Sequence, residues 1–199
     1  MRILGLSGSL RHGSYNTSLL RTARELLLEP VELELYDALK EIPPYDEDDD
    51  REPAPAPVQR FRDAIRAADA VLVATPEYNS SVPGQLKNAI DWASRPLATN
   101  PLRNRPVAVV GASTSVFGAV WAQAELRKVL AATGARVLPD ELAVGRARER
   151  FDADGRLLDA ELRARLAEVV YALVDESMPP GAARAETTTG ASRASARAA

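Results

Sequence analysis

"AVLVATPEYN", Ala70 to Asn79, decides the fold. Ala70–Ala74 is apolar at every position. A strand wetted on one face would alternate, so this run predicts a strand buried on both faces. Such strands belong inside parallel sheets that carry helices on each side. The run ends on Pro76-Glu77-Tyr78-Asn79, which has no core pattern and a ring to expose. In an open parallel sheet, ligands bind beyond the carboxyl ends of the strands. The loop is therefore a candidate site if the rest of the chain supplies that sheet.

Working outward, Arg2–Leu6 and Val107–Val110 are also short apolar runs, whereas Val31–Tyr36 alternates and Arg136–Leu138 is short. Between them lie helical patterns. Asn16–Leu28 places Leu19, Leu20, Ala23, Leu26 and Leu27 at helical spacing, and Val58–Ala68 reads as a helix. Leu86, Ala89, Ile90 and Ala93 mark a third helix. Ala122, Leu126, Val129 and Leu130 mark a fourth, stopped near Gly134. Leu162, Leu166, Val169, Val170 and Leu173 mark the last. This alternation predicts an α/β fold with a parallel sheet covered on both faces. The three apolar strands belong in the middle and the alternating second and short fifth at the edges. The order 2-1-3-4-5 follows, a flavodoxin-like three-layer sandwich with a five-stranded parallel sheet. Its ligand loops are those after the first, third and fourth strands.

Composition narrows the function classes. A chain of 199 residues, 46% apolar, suits one globular domain. A net charge of −3 gives no reason to expect nucleic acid or an anionic membrane as partner. The absence of cysteine excludes disulfides, thiolate nucleophiles, iron–sulfur ligation and Cys-type zinc sites. No run approaches the ~18 apolar residues of a membrane span. Arg2–Leu6 is too short for a signal-peptide core, so a cytoplasmic protein is expected. The folded domain is expected over 1–176. Residues 177–199 are Ala, Thr, Ser, Gly, Pro and Arg with almost nothing to bury, and are expected to form a disordered tail. Asp46–Asp50 reads as a solvated acidic loop, since the Gly and later Glu of a calcium loop are missing; no metal site is expected.

The first ligand loop, Ser7 to Thr17, follows a strand and opens a helix. Small residues let backbone N–H groups approach an anion, and the helix N-terminus adds a favourable dipole. Ser9, Ser14, Asn16 and Thr17 add donors and Arg11 a charge. Gly8 and Gly13 have P-loop spacing, but Ser14-Tyr15 stands where Lys-Ser/Thr is required, and the dinucleotide fingerprint G-x-G-x-x-G is absent. A terminal monophosphate fits better; a plain capped turn is the alternative. In the second loop, Pro76 fixes the approach and Tyr78 offers an apolar face, while an exposed turn with an incidental Tyr is the alternative. The third, Gly111 to Gly118, has small residues that let the backbone pass close to a ligand, with donors able to stabilise negative charge.

Two motifs, Gly8-Ser9-Leu10-Arg11-x-x-Ser14-x-Asn16 and Pro76-Glu77-Tyr78-Asn79-x-Ser81-x-Pro83-Gly84-x-Leu86-Lys87-Asn88-x-x-Asp91-Trp92, lie in order at the right strand ends. In them the chain resembles the NADPH-dependent FMN reductase family, over roughly residues 1 to 175. The resemblance implies FMN as cofactor and NADPH or NADH as co-substrate. It implies that Ser9, Arg11, Ser14, Asn16 and Thr17 hold the phosphate. It further implies that Pro76, Glu77, Tyr78 and Asn79 line the isoalloxazine and that Ser113 lies beside it. His12, the sole histidine, reads as a loop residue.

The implied reaction is ping-pong: a hydride from the nicotinamide, then two electrons to a quinone-like or other small acceptor. It needs no protein nucleophile or other catalytic side chain, and Tyr78 shapes the pocket. A flavin reductase that releases reduced FMN to a monooxygenase, and a non-enzymatic flavodoxin-type carrier, are the alternatives. A homodimer or homotetramer is also implied. Trp92 lies off the Leu86/Ala89/Ile90 stripe, so it is either core or part of a subunit contact.

Overall fold

The computed structural model describes residues 1–178; the tail expected over 177–199 lies, from 179 onward, outside the described residues. The chain alternates β1 (Arg2–Ser7), α1 (Tyr15–Leu26), β2 (Glu32–Tyr36), α2 (Ala56–Ala67), β3 (Ala70–Thr75), α3 (Gly84–Ala93), β4 (Pro106–Ala112), α4 (Val120–Ala132), β5 (Arg136–Val144), the short α5 (Ala147–Arg150) and α6 (Ala160–Ser177). All strand pairs are parallel and the order is β2-β1-β3-β4-β5, as expected.

Alternation along the buried strands divides the core. Leu4, Leu6, Val71, Val73, Val107 and Val109 point to the face covered by α2, α3 and α4. Ile3, Leu72, Ala74, Ala108 and Val110 point to the face covered by α1 and α6. β3 and β4 are buried at every position, which is why their sequences do not alternate. The register pairs Ser7 with Ala74, Thr75 with Gly111 and Ala112 with Val144. The carboxyl ends of the strands therefore form one rim.

One sequence expectation changes, and one alternative left open is decided. β5 runs to Val144, not Leu138. Its register against β4 slips between Val107 and Val109, where Val137 and Glu141 are the flanking partners. Pro139 lies in the slipped segment. Lacking an N–H, it cannot donate to the ladder and is accommodated in a bulge, after which pairing resumes. Trp92 is core: fully buried, it donates Nε1 to the Pro43 carbonyl at 2.9 Å and meets Tyr45 edge-on at 4.9 Å. Its backbone carbonyl accepts from Nε and Nη2 of the buried Arg62, and the same Nη2 faces Asp50 at 3.4 Å. Trp92 is thereby unavailable to a second subunit.

Candidate functional site

Three loops meet on the rim. The sheet order brings them together, because β3 lies between β1 and β4. Gly8 seals the first to the second. Its N–H donates to the Ala74 carbonyl at 2.8 Å, and a Cβ there would stand 2.8 Å from Leu86 Cδ2 and 3.2 Å from Pro76 Cδ. A side chain would force the loops apart.

Ser14 is the N-cap of α1, its Oγ accepting from the Thr17 N–H at 3.2 Å. Thr17 Oγ1 donates to Ser7 Oγ at 2.9 Å, and Ser7 Oγ also accepts from the Ser9 N–H. Ser9 and Ser14 are buried, whereas Arg11 and His12 are exposed. Among the described residues, the Tyr15 and Asn16 N–H groups in the first turn have no acceptor, as the geometry of a helix start requires. Arg11 is steered by stacking rather than by a carboxylate. Its guanidinium lies 4.9 Å from the Tyr15 ring centre, and Tyr15 stacks at 5.3 Å on Phe151, which follows α5.

Asn16 differs from the expectation. Its side chain is buried and engaged with the backbone of one residue: Nδ2 donates to the Ala112 carbonyl at 3.0 Å, and Oδ1 accepts from the Ala112 N–H at 2.9 Å. The amide clamps the first loop to the third, and the Asn16 backbone N–H has no acceptor among the described residues.

The second loop is a turn after all. Tyr78 and Ser81 exchange N–H···O bonds at 3.1 Å, and Asn79 and Ser80 both carry positive φ, 53° and 59°. That is the pattern of a type I′ turn, which favours Asn. Asn79 occupies the exposed tip, so turn geometry explains its identity. Glu77 points the other way. Its Oε2 accepts from the Trp121 and Ala122 N–H groups at 3.0 and 3.1 Å, capping α4, whose own N-cap Ala119 has no capping side chain. A second carboxylate on α4 holds the far side of the turn: Glu125 Oε2 accepts from Ser81 Oγ at 2.6 Å and the Val82 N–H at 3.3 Å. These bonds hold the Glu125 carboxyl below its ordinary value.

The third loop folds back on β5. The Ser113 N–H donates to the Val144 carbonyl at 3.0 Å, and Ser113 Oγ accepts from the Ser115 N–H at 3.1 Å. Gly118 has φ 63°, and a Cβ there would collide with the Ala143 carbonyl carbon at 2.6 Å. The crossing excludes any larger residue.

One cleft collects Ser9, Arg11, Ser14, Asn16, Pro76, Glu77, Tyr78 and Ser113. Thr17 lies instead in the adjoining groove, and Asn79 lies outside both. Tyr15, Ala112 and Thr114 line the cleft as well and were not singled out from sequence. Tyr15 could have been found as the aromatic inside the first motif; Ala112 and Thr114 are residue types that carry no ligand signal of their own. The donor set suits a phosphate monoester: hydroxyls, free N–H groups and a guanidinium without a carboxylate partner. The exposed Tyr78 ring and small Ser113 line the same cleft.

Known proteins resemble this chain in sequence and in fold. A family model described as NADPH-dependent FMN reductase matches residues 1–149. An NAD(P)H-dependent FMN reductase of Pseudomonas aeruginosa is 46% identical over 174 residues, covering 87% of this chain and 93% of that protein. A quinone reductase of Escherichia coli is 41% identical over 139 residues, 69% of this chain and 73% of that one. Among solved structures, the NAD(P)H:(acceptor) oxidoreductase FerB of Paracoccus denitrificans is 37% identical, with a TM-score of 0.80 over 88% of this chain and 96% of its own.

Proposed function

Because the chain belongs to the NADPH-dependent FMN reductase family, we propose that it is an FMN-dependent NAD(P)H oxidoreductase that delivers two electrons to quinone-like acceptors. The observation that carries this reading is the one cleft in which the Ser9–Asn16 loop, the Pro76–Tyr78 loop and Ser113 converge. The residues present fit FMN. Free N–H groups at the start of α1, the Ser9 and Ser14 hydroxyls and Arg11 suit its phosphate. Asn16 serves by its backbone and by fixing Ala112.

When bound, FMN supplies the hydride and electron chemistry. The chain positions it. The Gly8 and Asn16 contacts fix the distance between the loops, and the Tyr78–Ser81 turn, pinned by Glu77 and Glu125, holds the ring of Tyr78 at the cleft mouth. There Tyr78 shapes the space that nicotinamide and acceptor occupy in turn.

The kinship with quinone reductases favours the enzyme over a flavodoxin-type carrier. The test is anaerobic: NADPH or NADH is added to FMN-loaded protein and the flavin absorbance is followed, then a panel of quinones is supplied. Bleaching by the nicotinamide and recovery with quinone are expected; failure to bleach overturns the reading. Tyr78→Ala should shift relative acceptor rates several-fold while FMN retention changes little. Loss of FMN with unchanged relative rates refutes the role given to Tyr78.

We also infer a cytoplasmic homodimer or homotetramer. No helix among the described residues is long and apolar enough to cross a membrane. Val116, Phe117 and Trp121 form an exposed apolar patch beside the cleft, with Phe117 and Trp121 rings 4.9 Å apart. A sedimentation mass equal to one chain overturns the oligomer.

A further inference from the structure

A groove of about 500 Å³ adjoins the cleft on the β2 side and shares Ser9 and Arg11 with it. It runs along the flank of α1, past Thr17 and Arg21, to the loop after β2, where Asp37 and Lys40 close it. The sheet order produces it, since β2 lies next to β1 and both loops leave the same rim. Arg11, Arg21 and Lys40 supply positive charge against the single carboxylate of Asp37, with the exposed His12 beside them. Among the described residues, none of Arg11, Arg21, Lys40 and Asp37 forms an ion pair, whereas Arg2, Arg60, Arg66, Lys87 and Arg136 all do. Single unpaired cations such as Arg24, Arg95, Lys128 and Arg148 also occur elsewhere on the described surface; here three of them line one groove.

Resting on the reductase reading above, we propose that Arg21 and Lys40 receive the 2′-phosphate of NADPH and so make the enzyme prefer NADPH to NADH. The phosphate of FMN has the start of α1 for its donors. A second phosphate monoester therefore has a separate place, one helical turn further along, where Arg21 stands four residues beyond Thr17. A ligand lying in both cavities is continuous past Arg11, so a dinucleotide with its nicotinamide near Tyr78 and Ser113 can carry its other end into the groove. NADH lacks the 2′-phosphate and gains nothing from two extra cations.

The test uses FMN-loaded protein and the variants Arg21→Ala, Lys40→Ala and their double. Both side chains are exposed, so folding is not at issue. Calorimetric titration with 2′,5′-ADP and 5′-AMP reads the groove without turnover. The wild type should bind 2′,5′-ADP the tighter, and the double variant should lose roughly tenfold or more of that affinity, with 5′-AMP unchanged. KM for NADPH should rise in parallel and steepen with salt in the wild type only, while the NADH constants hold. Equal binding of the two nucleotides by the wild type, or equal weakening of both in the variants, overturns the proposal. So does competition by inorganic phosphate at the same affinity as 2′,5′-ADP, or loss of FMN from the variants. If neither nicotinamide bleaches the flavin, the reductase reading falls, and calorimetry still decides the groove.

Discussion

Glu77 sits inside the stretch whose sequence points most plainly to the cleft, yet its carboxylate works elsewhere. Trp121 and Ala122, whose N–H groups it accepts, lie 44 and 45 residues away. Both donors are main chain, so no residue type announces the contact. Pro76 and Tyr78 were legible as candidates, and they line the cleft, because a ring and a proline at a strand end have no core pattern to serve. Asn79 was legible as punctuation only once the turn around it was known. Glu77→Ala removes two hydrogen bonds to a charged acceptor and leaves the start of α4 uncapped. It should destabilise the protein by about 1–3 kcal/mol. Urea denaturation at neutral pH reads this as a lower midpoint at unchanged slope. Glu77→Gln, which keeps an acceptor but not the charge, should lose less. An unchanged midpoint for the alanine variant would show the cap to be dispensable.

Elements were legible where one period dominates. β3 and β4 are apolar throughout, and the helix stripes of α1 and α3 match their buried faces. β5 extends past the expected Arg136–Leu138 because a bulge carries the strand beyond Pro139 and Asp140, and no local pattern reveals that bulge. Arg62 is buried although its helix reads as amphipathic, because the Trp92 carbonyl and Asp50 wait across a gap no local pattern reveals. The tie between the second loop and α4 has a pH signature. Glu125 has its folded-state value depressed by the Ser81 and Val82 bonds. Its contribution is present in full above the ordinary glutamate range and fades as pH falls through the lower folded value. Between about pH 5 and 3 the wild type should lose stability more steeply than Glu125→Gln, while at pH 7 Glu125→Gln should be the less stable of the two. Melting temperatures across that range check the sign. Parallel curves would remove Glu125 from the acid response.

At the scale of the whole molecule, the loops are tied to one another by the protein itself. Gly8 bonds to Ala74, Asn16 to Ala112, Glu77 to the start of α4, and Ser113 to Val144. These ties predict a rim that forms on the protein's own hydrogen bonds, so that FMN meets a formed site rather than folding one. Two consequences follow. The FMN-free protein should unfold cooperatively, with the rim contributing to its stability. FMN should add stability by mass action alone, about 2.7 kcal/mol at a concentration one hundred times its dissociation constant. For a chain of this size, that corresponds to a rise in melting temperature of about 5–10 °C. Calorimetric scans of stripped and reloaded protein measure it. Arg11→Ala should shrink the rise at fixed FMN concentration, because the guanidinium is the charged donor proposed for the phosphate. Arg21→Ala, one turn along the groove, should leave it intact. A broad, non-cooperative transition in stripped protein would mean that the cofactor builds the rim. An undiminished rise in Arg11→Ala would place the phosphate on the helix N–H groups and hydroxyls alone.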